Sequence, residues 1–369
     1  MDKRLVGKWY KEDMGETINI FDEEPLRMKM SFSSSGYYNF EPNCVYEKDG
    51  YFCYEINDEL YRMVYSIQYE NGYLKGYYRQ HGKEIPVVYG RVSEIPEDGQ
   101  YEYTPRQMFV PNTDMSRIDI LKKYAAYDNK KSSIPYTFEY RLFEPAPKIL
   151  EKYNYRNYID NYSSDDDNLA FSLLNFVCDH FQHDGSSGLP QGRRVEDIIT
   201  FCENNKGKIN CRGLAILLAA LLRMNGIKAS HITCMPYEDP FHDCHVVTDC
   251  FLPSGKRIMF DPTYRLYLKD SNDEYVSLQK LRRMLIKDET YYPNSEASYN
   301  GSTFDLDYQR NYMIKNTLRF SRGILCAHGV EDRSKRRVEL IPRDYTIEKF
   351  GDQNKKEFVF CESEFWGDE

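Results

Sequence analysis

NCRGLAILLAALLRMNG, residues 210–226, is apolar at nearly every position of its interior. A helix that is apolar on all sides belongs in the middle of a domain, so this segment is expected to form a central, buried helix. Asn210 is a favourable N-cap and Gly226 a favourable residue just past the C-terminus, which places Cys211 at the first helical position. A thiol there feels the partial positive charge of the unpaired N–H groups, which favours the thiolate.

Two motifs downstream of this helix supply partners for a thiolate nucleophile. His245 lies in DCHVV, residues 243–247, and Asp261 lies in IMFDPTY, residues 258–264. A cysteine nucleophile needs an imidazole to accept its proton and return it to a leaving amine, and the imidazole needs a carboxylate or amide to hold its tautomer. Cys211, His245 and Asp261 supply these groups in this order.

The loop between the strands that carry His245 and Asp261 determines whether the two side chains can meet. Pro253-Ser254-Gly255 suits a three-residue loop, with a type I turn followed by glycine in the left-handed position. Leu252 then faces Lys256, and His245 lies diagonally next to Asp261 on the same face, at a Cα separation of about 7–8 Å. A two-residue loop would place them on opposite faces, so a triad requires an odd-length loop.

Residues 1–95 are predicted to form an all-β domain. Asp49-Gly50 and Asn71-Gly72 are strong hairpin signals. The predicted strands are Met28–Phe32, Tyr51–Ile56, Leu60–Tyr69, Tyr73–Tyr78 and Ile85–Val92. Gly7-Lys8-Trp9 resembles the Gly-x-Trp signature of lipocalin-like barrels, in which the tryptophan closes one end; a smaller or partly open barrel fits the length equally well. The many tyrosines could line a ligand pocket, although packing is the ordinary use of aromatic residues on strands.

Residues 96–164 are predicted to be a linker and the start of a core domain that occupies residues 165–369. The segment from Ser93 to Asp114 is rich in proline and glycine. Expected helices are 116–127, 168–182, 195–203, 211–224 and 275–290, and expected strands are 136–143, 229–235, 244–252 and 256–261. Strands at 319–328, 337–341 and 357–362 are expected at the edge of the same sheet.

The ordered set of motifs between about Asp165 and Arg283 resembles the transglutaminase-like superfamily of cysteine enzymes. The resemblance implies an α+β, papain-like fold in which the nucleophile heads a helix packed on an antiparallel sheet. It also implies that Cys211 is the nucleophile, His245 the general base and acid, and Asp261 its orienting partner. Val247 stands where many relatives have an aromatic residue, which speaks against a substrate slot built from that ring and against acyl transfer to lysine.

The oxyanion hole needs two donors. The backbone N–H of Cys211 is one, since the first N–H groups of a helix have no intrahelical partner. By analogy with the glutamine of papain-like sites, Gln182 is the predicted second donor; a solvated glutamine at a helix end is the alternative.

Two groups of residues suggest a metal site as a competing hypothesis. The first is a cluster of cysteines and histidines, with the members Cys234, His242, Cys244, His245 and Cys250. Its spacing is not that of a CxxC pair, and alternate strand residues face opposite ways. The second group resembles part of a metal-dependent His-Asp site, but no second pair appears at helical spacing; its members are His180, His183 and Asp184. We therefore predict neither a bound metal nor a cofactor.

The charge and the apolar runs restrict the partners and the compartment. A formal net charge of −9 argues against nucleic acid, because phosphate binding needs a concentrated basic surface. The N-terminus lacks the apolar region of a signal peptide and no apolar run approaches the ~18 residues of a membrane span. We therefore expect a cytoplasmic protein, without a membrane partner, whose ten cysteines are reduced.

The resulting functional prediction is thiol-dependent acyl chemistry at an amide bond of a peptide or protein. Hydrolysis of the cysteine peptidase or amidase type is favoured because water is always available and no second-substrate motif is present. The alternatives are acyl transfer from protein glutamine and a non-catalytic scaffold or binding protein. The sequence leaves the particular substrate, the role of the β domain and the oligomeric state open.

Overall fold

The computed structural model describes most of the chain, in two compact units, Met1–Arg117 and Ile118–Glu369. The described residues are 2–11, 16–32, 37–42, 44–57, 62–80, 83–93, 115–129, 137–238, 243–331, 336–345 and 357–367. The predicted linker at 94–114 lies outside them, as do the predicted strand residues at 60–61 and 136.

The described strands of the first unit form a nine-stranded antiparallel sheet that curls into a nearly closed barrel-like form. A short 3₁₀ helix, Lys3–Leu5, precedes it. Its strands are β1 (Gly7–Lys11), β2 (Glu16–Ile20), β3 (Met28–Phe32), β4 (Tyr37–Phe40), β5 (Cys44–Lys48), β6 (Tyr51–Asn57), β7 (Arg62–Glu70), β8 (Tyr73–Gln80) and β9 (Lys83–Arg91). Their order in the sheet is β4-β3-β2-β1-β9-β8-β7-β6-β5. The expected all-β, barrel-like architecture is confirmed.

Trp9 fixes the start of this barrel. Its indole is fully buried and donates a hydrogen bond from Nε1 to the Leu5 carbonyl at 2.8 Å. The Arg91 guanidinium stacks 4.6 Å from the indole ring and donates to the Arg4 and Val6 carbonyls. The Gly-x-Trp segment therefore joins the first strand of this sheet to β9, with which Trp9 pairs through Arg91.

The tyrosines inside the barrel belong to its core. Tyr54 and Tyr65 stack with ring centroids 4.4 Å apart, and the Tyr54 and Tyr89 hydroxyls lie 3.1 Å apart. The Tyr89 hydroxyl donates to the buried Glu16 carboxylate at 2.7 Å. All three tyrosines are packed in the core. This is the use that the sequence favoured over the lining of a ligand pocket.

The second unit mixes helices and strands. Its helices are α1 (Arg117–Lys123), which begins at the unit boundary, α2 (Arg156–Ile159), α3 (Asp167–His180), α4 (Val195–Asn204), α5 (Cys211–Met224), α6 (Leu278–Lys287), α7 (Leu306–Asn316) and α8 (Glu362–Trp366), with a 3₁₀ helix at Lys148–Tyr153. Its strands are β10 (Glu139–Tyr140), β11 (Gln182–His183), β12 (Lys208–Ile209), β13 (Ala229–Met235), β14 (His245–Phe251), β15 (Arg257–Phe260), β16 (Leu268–Asp270), β17 (Tyr291–Pro293), β18 (Ser298–Tyr299), β19 (Ser302–Thr303), β20 (Arg319–Gly323), β21 (Leu325–Cys326), β22 (Arg337–Leu340) and β23 (Glu357–Val359).

Helix α5 is the centre of this unit. Every residue from Gly213 to Met224 is buried, as expected for a helix that is apolar on all sides. The helix packs against β13 and β14, and the Thr248 hydroxyl donates to the Ala215 carbonyl at 3.1 Å. The sheet behind it has the order β15-β14-β13-β20-β22-β23, so the C-terminal strands extend the β13–β15 meander as predicted.

The hairpin between β14 and β15 has the predicted register. Thr248 pairs with Phe260, and the Leu252 N–H donates to the Lys256 carbonyl at 2.8 Å. Gly255 has φ +84°, the left-handed conformation that a three-residue loop requires. This confirms an odd-length loop, which places His245 and Asp261 on the same face.

A buried ion pair links two of the added strands. Arg319 on β20 donates from Nη1 to the Glu339 carboxylate on β22 at 2.6 Å, and both side chains are fully buried. The same guanidinium donates to the Pro236 and Glu238 carbonyls. Removing the cation would leave a fully buried carboxylate without its Arg319 partner, which costs far more than losing a surface pair.

Arg319→Met should lower the free energy of unfolding by about 3–5 kcal/mol, which urea denaturation can measure. Arg336→Met is the matched control, because Arg336 pairs with Glu357 at the surface and such pairs contribute about 0–1 kcal/mol. Replacing both buried partners, as Arg319→Met with Glu339→Leu, should recover much of the loss. Equal destabilisation by Arg319→Met and Arg336→Met would contradict this account.

Among the described residues, no helix has the length and apolar character needed to span a membrane. All ten cysteines are free. The strands and helix between 291 and 316 are not anticipated by the sequence patterns above, and they contribute directly to the site described next.

Candidate active site

Cys211 occupies the first position of α5, as predicted. The Asn210 side chain accepts a hydrogen bond from the Gly213 N–H at 3.1 Å and donates one to the Ser187 carbonyl at 2.9 Å. The first residue of the helix is therefore fixed by its cap. Cys211 is partly exposed, whereas the helix from Gly213 onward is buried. Cys211 and Arg212 are thus the residues of the central helix that keep partial exposure to solvent.

His245 and Asp261 meet at the start of β14 and the end of β15. The His245 Nε2 lies 2.7 Å from the Asp261 Oδ2, and both residues are almost completely buried. The other Asp261 oxygen, Oδ1, accepts the Thr263 N–H at 3.1 Å, and the Asp261 backbone pairs with Leu266. The carboxylate is therefore held from both sides and leaves the His245 Nδ1 to face Cys211.

The thiol and the imidazole favour opposite charges. Burial alone would raise the pKa of Cys211, but hydrogen bonds from His183 and His245 and their charges lower it to about 6. Burial alone would lower the pKa of His245, but the Asp261 carboxylate and the bond to Cys211 raise it to about 10. With the pKa of the thiol lowered and that of the imidazole raised, the pair is a thiolate and an imidazolium near neutral pH.

His183 is a second imidazole at the thiol. It lies on β11, which pairs in parallel with β12, the strand that leads into Cys211. Its Nδ1 lies 3.1 Å from the Tyr299 hydroxyl, and its imidazole is close enough to Cys211 to lower the pKa of the thiol. The sequence patterns suggest His183 only as a member of a metal site, so its place beside the nucleophile is a finding of the structure.

Gln182, the predicted oxyanion donor, precedes His183 on the same strand and is exposed. Successive strand residues point to opposite faces, so a strand that directs His183 to the thiol directs Gln182 away from it. Gln182 lines a separate cavity of about 560 Å³, together with Gly207, Thr263 and Asn300. The structure brings Cys211, His245 and Asp261 together and leaves Gln182 to one side.

A short hairpin holds His183 in place. The strands β18 and β19 pair Tyr299 with Ser302, and the two loop residues, Asn300 and Gly301, both have positive φ (+49° and +78°). Asn-Gly is the preferred sequence for such a loop. The Asn300 side chain accepts the His183 N–H at 2.9 Å and donates to the His183 carbonyl at 2.9 Å.

Aromatic side chains surround the imidazole of His245. The Tyr312 ring lies 5.2 Å from it and the Tyr264 ring 6.2 Å, measured between centroids. The Tyr312 hydroxyl donates to Asp243 at 3.1 Å and to the Cys244 carbonyl at 3.2 Å, which fixes the segment entering β14. These rings shield the His245–Asp261 pair from water, and charged hydrogen bonds are stronger in such a low-dielectric environment.

The candidate metal ligands do not form a metal site in the described part of the chain, where no group of three or more suitable side chains converges. Cys234 pairs with His245 in the β13–β14 register, but Cys250 pairs with Ala229 at the other end of the strand. Asp184 accepts hydrogen bonds from Ser186 and Ser187 instead. His242 lies outside the described residues.

Comparison with known proteins identifies the domain. Residues 154–262 match the model of the transglutaminase-like superfamily, which covers cysteine peptidase-like and acyltransferase activities. No curated protein matches the chain. A crystal structure of a "putative protease" from Parabacteroides distasonis is similar, with 12% identity and a TM-score of 0.23; the alignment covers 78% of this chain and 43%, less than half, of that protein. With the α+β fold described above, the family match shows that this chain contains a domain of the transglutaminase-like superfamily.

Proposed function

We propose that the protein cleaves amide bonds of peptides or proteins by thiol-dependent hydrolysis. In this proposal Cys211 is the nucleophile, His245 the general base and acid, and Asp261 the residue that orients the imidazole. The single observation that supports it most is the hydrogen bond of 2.7 Å between His245 and Asp261, on an imidazole that is close enough to Cys211 to lower the pKa of the thiol. This is the geometry by which a nucleophile, a base and an orienting group act together.

The proposed reaction has two stages. The Cys211 thiolate attacks the carbonyl carbon, an S–C bond forms, and the carbonyl π electrons move to oxygen. On collapse the C–N bond breaks, and the His245 imidazolium gives its proton to the leaving amine, which leaves a thioester on Cys211. Water then attacks the thioester while His245 accepts a proton from it, and the S–C bond breaks. This step releases the carboxylic acid and restores the Cys211 thiolate and the His245 imidazolium.

The residue at position 247 favours hydrolysis over acyl transfer to an amine. Val247, which stands where many relatives have an aromatic residue, is fully buried on β14 opposite Ile232. It therefore offers no exposed surface for a substrate slot. Fluorescein-labelled casein can report hydrolysis, and dansylcadaverine incorporation into dimethylcasein can report acyl transfer. We expect cleavage of the labelled casein. Incorporation of the amine without any cleavage would contradict hydrolysis and favour acyl transfer as the activity.

Iodoacetamide labelling tests the pairing of Cys211 with His245 without a substrate. Because hydrogen bonds from the histidines lower the pKa of Cys211 to about 6, its alkylation rate should reach half of its plateau near pH 6. In His245→Ala the thiolate loses the stabilisation by His245. The midpoint pH of alkylation should therefore rise toward ~8.5, the pKa of a free thiol. Mass spectrometry of peptides gives the rate for each cysteine at limiting reagent.

Two other cysteines provide controls in the same experiment. Cys44 is exposed, whereas Cys211 is only partly exposed, so accessibility alone would favour labelling of Cys44. Burial raises the pKa of Cys244, the neighbour of His245, to about 12 although Arg212 opposes it. At pH 6.5 we expect Cys211 to react first. A free-thiol pH profile for Cys211 in both proteins would refute the pairing and favour a scaffold or binding role.

A further inference from the structure

We propose that His183 is a catalytic residue that supplies the second oxyanion donor through its Nε2–H, with Tyr299 and Asn300 as its positioning residues. The inference rests on the proposed function, because an oxyanion forms only when Cys211 attacks a carbonyl group. It assigns to His183 the role that sequence analysis gave to its neighbour Gln182.

The backbone places His183 beside the nucleophile. His183 pairs with Ile209, two residues before Cys211, and the flanking N–H groups of Gln182 and Asp184 donate to the Gly207 and Ile209 carbonyls at 2.8 and 2.9 Å. The strand therefore cannot slide relative to the start of α5 without breaking these bonds. Asn300 adds two further hydrogen bonds to the His183 backbone from the opposite side.

The orientation of the ring follows from its contact with Tyr299. Because Nδ1 lies 3.1 Å from the Tyr299 hydroxyl, Nε2 is the ring nitrogen left to face the Cys211 side, where the imidazole lowers the pKa of the thiol. When the tyrosine O–H donates to Nδ1, the N–H of the ring is the one on Nε2. Tyr264, 5.7 Å from Tyr299 between ring centroids, packs behind this contact. A Tyr299 hydroxyl that donates in this way leaves Nε2–H as the group of His183 that can donate toward the reacting atoms.

A donor in this position suits the movement of charge during the reaction. In the resting site, the negative charge is on the Cys211 sulfur. When the thiolate attacks, the sulfur becomes neutral and the charge appears on the adjacent carbonyl oxygen. The His183 Nε2–H, already directed to the sulfur, can then bind the oxygen together with the Cys211 N–H at the start of the helix. His183 keeps its proton throughout, and His245 carries out the proton transfer.

Two reagents separate this role from simple activation of the thiol. Acylation by p-nitrophenyl acetate forms an oxyanion and releases p-nitrophenolate, which needs no proton. Alkylation by iodoacetamide displaces iodide and forms no oxyanion. Both rates are measured at the pH where alkylation of each variant has reached its plateau, so that the thiolate is complete in every protein.

His183→Ala should slow acylation of Cys211 about 10²-fold, as expected for the loss of one oxyanion donor, while its plateau alkylation rate changes little. His183→Gln keeps an N–H donor and should retain more of the acylation rate than His183→Ala. Tyr299→Phe should lower acylation in the same direction, whereas Tyr292→Phe, a change at an exposed tyrosine, should not. Thermal denaturation checks that each variant is folded.

The outcomes distinguish this inference from the proposed function. An equal loss of acylation and plateau alkylation in His183→Ala, or no loss of either, would overturn the role of His183. A large acylation defect in Gln182→Ala with normal acylation in His183→Ala would restore Gln182 as the donor. Wild-type protein whose Cys211 shows a free-thiol pH profile and forms no acyl adduct would contradict the proposed function, and with it the inference.

Discussion

Replacing Cys211 by alanine should abolish amide-bond cleavage and the p-nitrophenolate burst, while the protein stays folded. Loss of the nucleophile of a triad typically costs about 10⁶ in kcat. Alanine is also well suited to the first turn of a helix, and Asn210 would still cap it through the Gly213 N–H. Casein cleavage and burst amplitude measure the loss, and circular dichroism measures the retained helix.

A matched control for this variant is Cys44→Ala. Cys44 is an exposed free thiol on β5, in the other unit of the chain. Its removal should leave both the burst and casein cleavage unchanged. If the Cys211→Ala protein kept the burst, a different residue would have to be the nucleophile.

Asp261→Asn should lower kcat about 10⁴-fold, the effect seen when the carboxylate of a catalytic triad becomes an amide. Asparagine fills the same volume and its oxygen can still accept the Thr263 N–H. It carries no charge, however, and the Asp261 carboxylate is the principal group that raises the pKa of His245 against the effect of burial. The variant imidazole should therefore lose its proton at a lower pH.

The pH profile distinguishes this electrostatic effect from structural damage. In the wild type, cleavage needs thiolate and imidazolium together, so activity should rise near pH 6 and fall near pH 10. In Asp261→Asn the alkaline limb should move to lower pH. Asp273→Asn, a change at an exposed carboxylate, should keep the wild-type profile. An unshifted alkaline limb in Asp261→Asn would argue against Asp261 as the partner of His245.

The sequence could predict those parts of the site that depend on local rules. Capping residues at Asn210 and Gly226 indicated the start of α5 at Cys211, since N-caps act within one helical turn. Turn chemistry at Pro253-Ser254-Gly255 indicated the register that joins His245 to Asp261. Strand β13 was predicted at Ala229–Met235, the bounds that it has in the structure.

The remaining parts depend on contacts between distant segments. Asn300-Gly301 is a recognisable hairpin signal, but nothing in it shows that Asn300 binds the backbone of a strand 117 residues earlier. Helix α7 lacks a clear apolar stripe, so Tyr312 could not be assigned to the site from periodicity. His183 could have been preferred to Gln182 only if the two-residue strand β11 had been recognised, because the alternation of faces then separates them.

The three-residue loop between β14 and β15 also restricts how this domain can change during evolution. Adding or deleting one residue there reverses the parity of the register and directs the aspartate to the opposite face of the sheet from His245. Two residues can be inserted without that reversal. Among descendants that keep the triad, this loop should therefore vary in length by even numbers of residues, whereas lineages that have lost the chemistry are free to accept either parity.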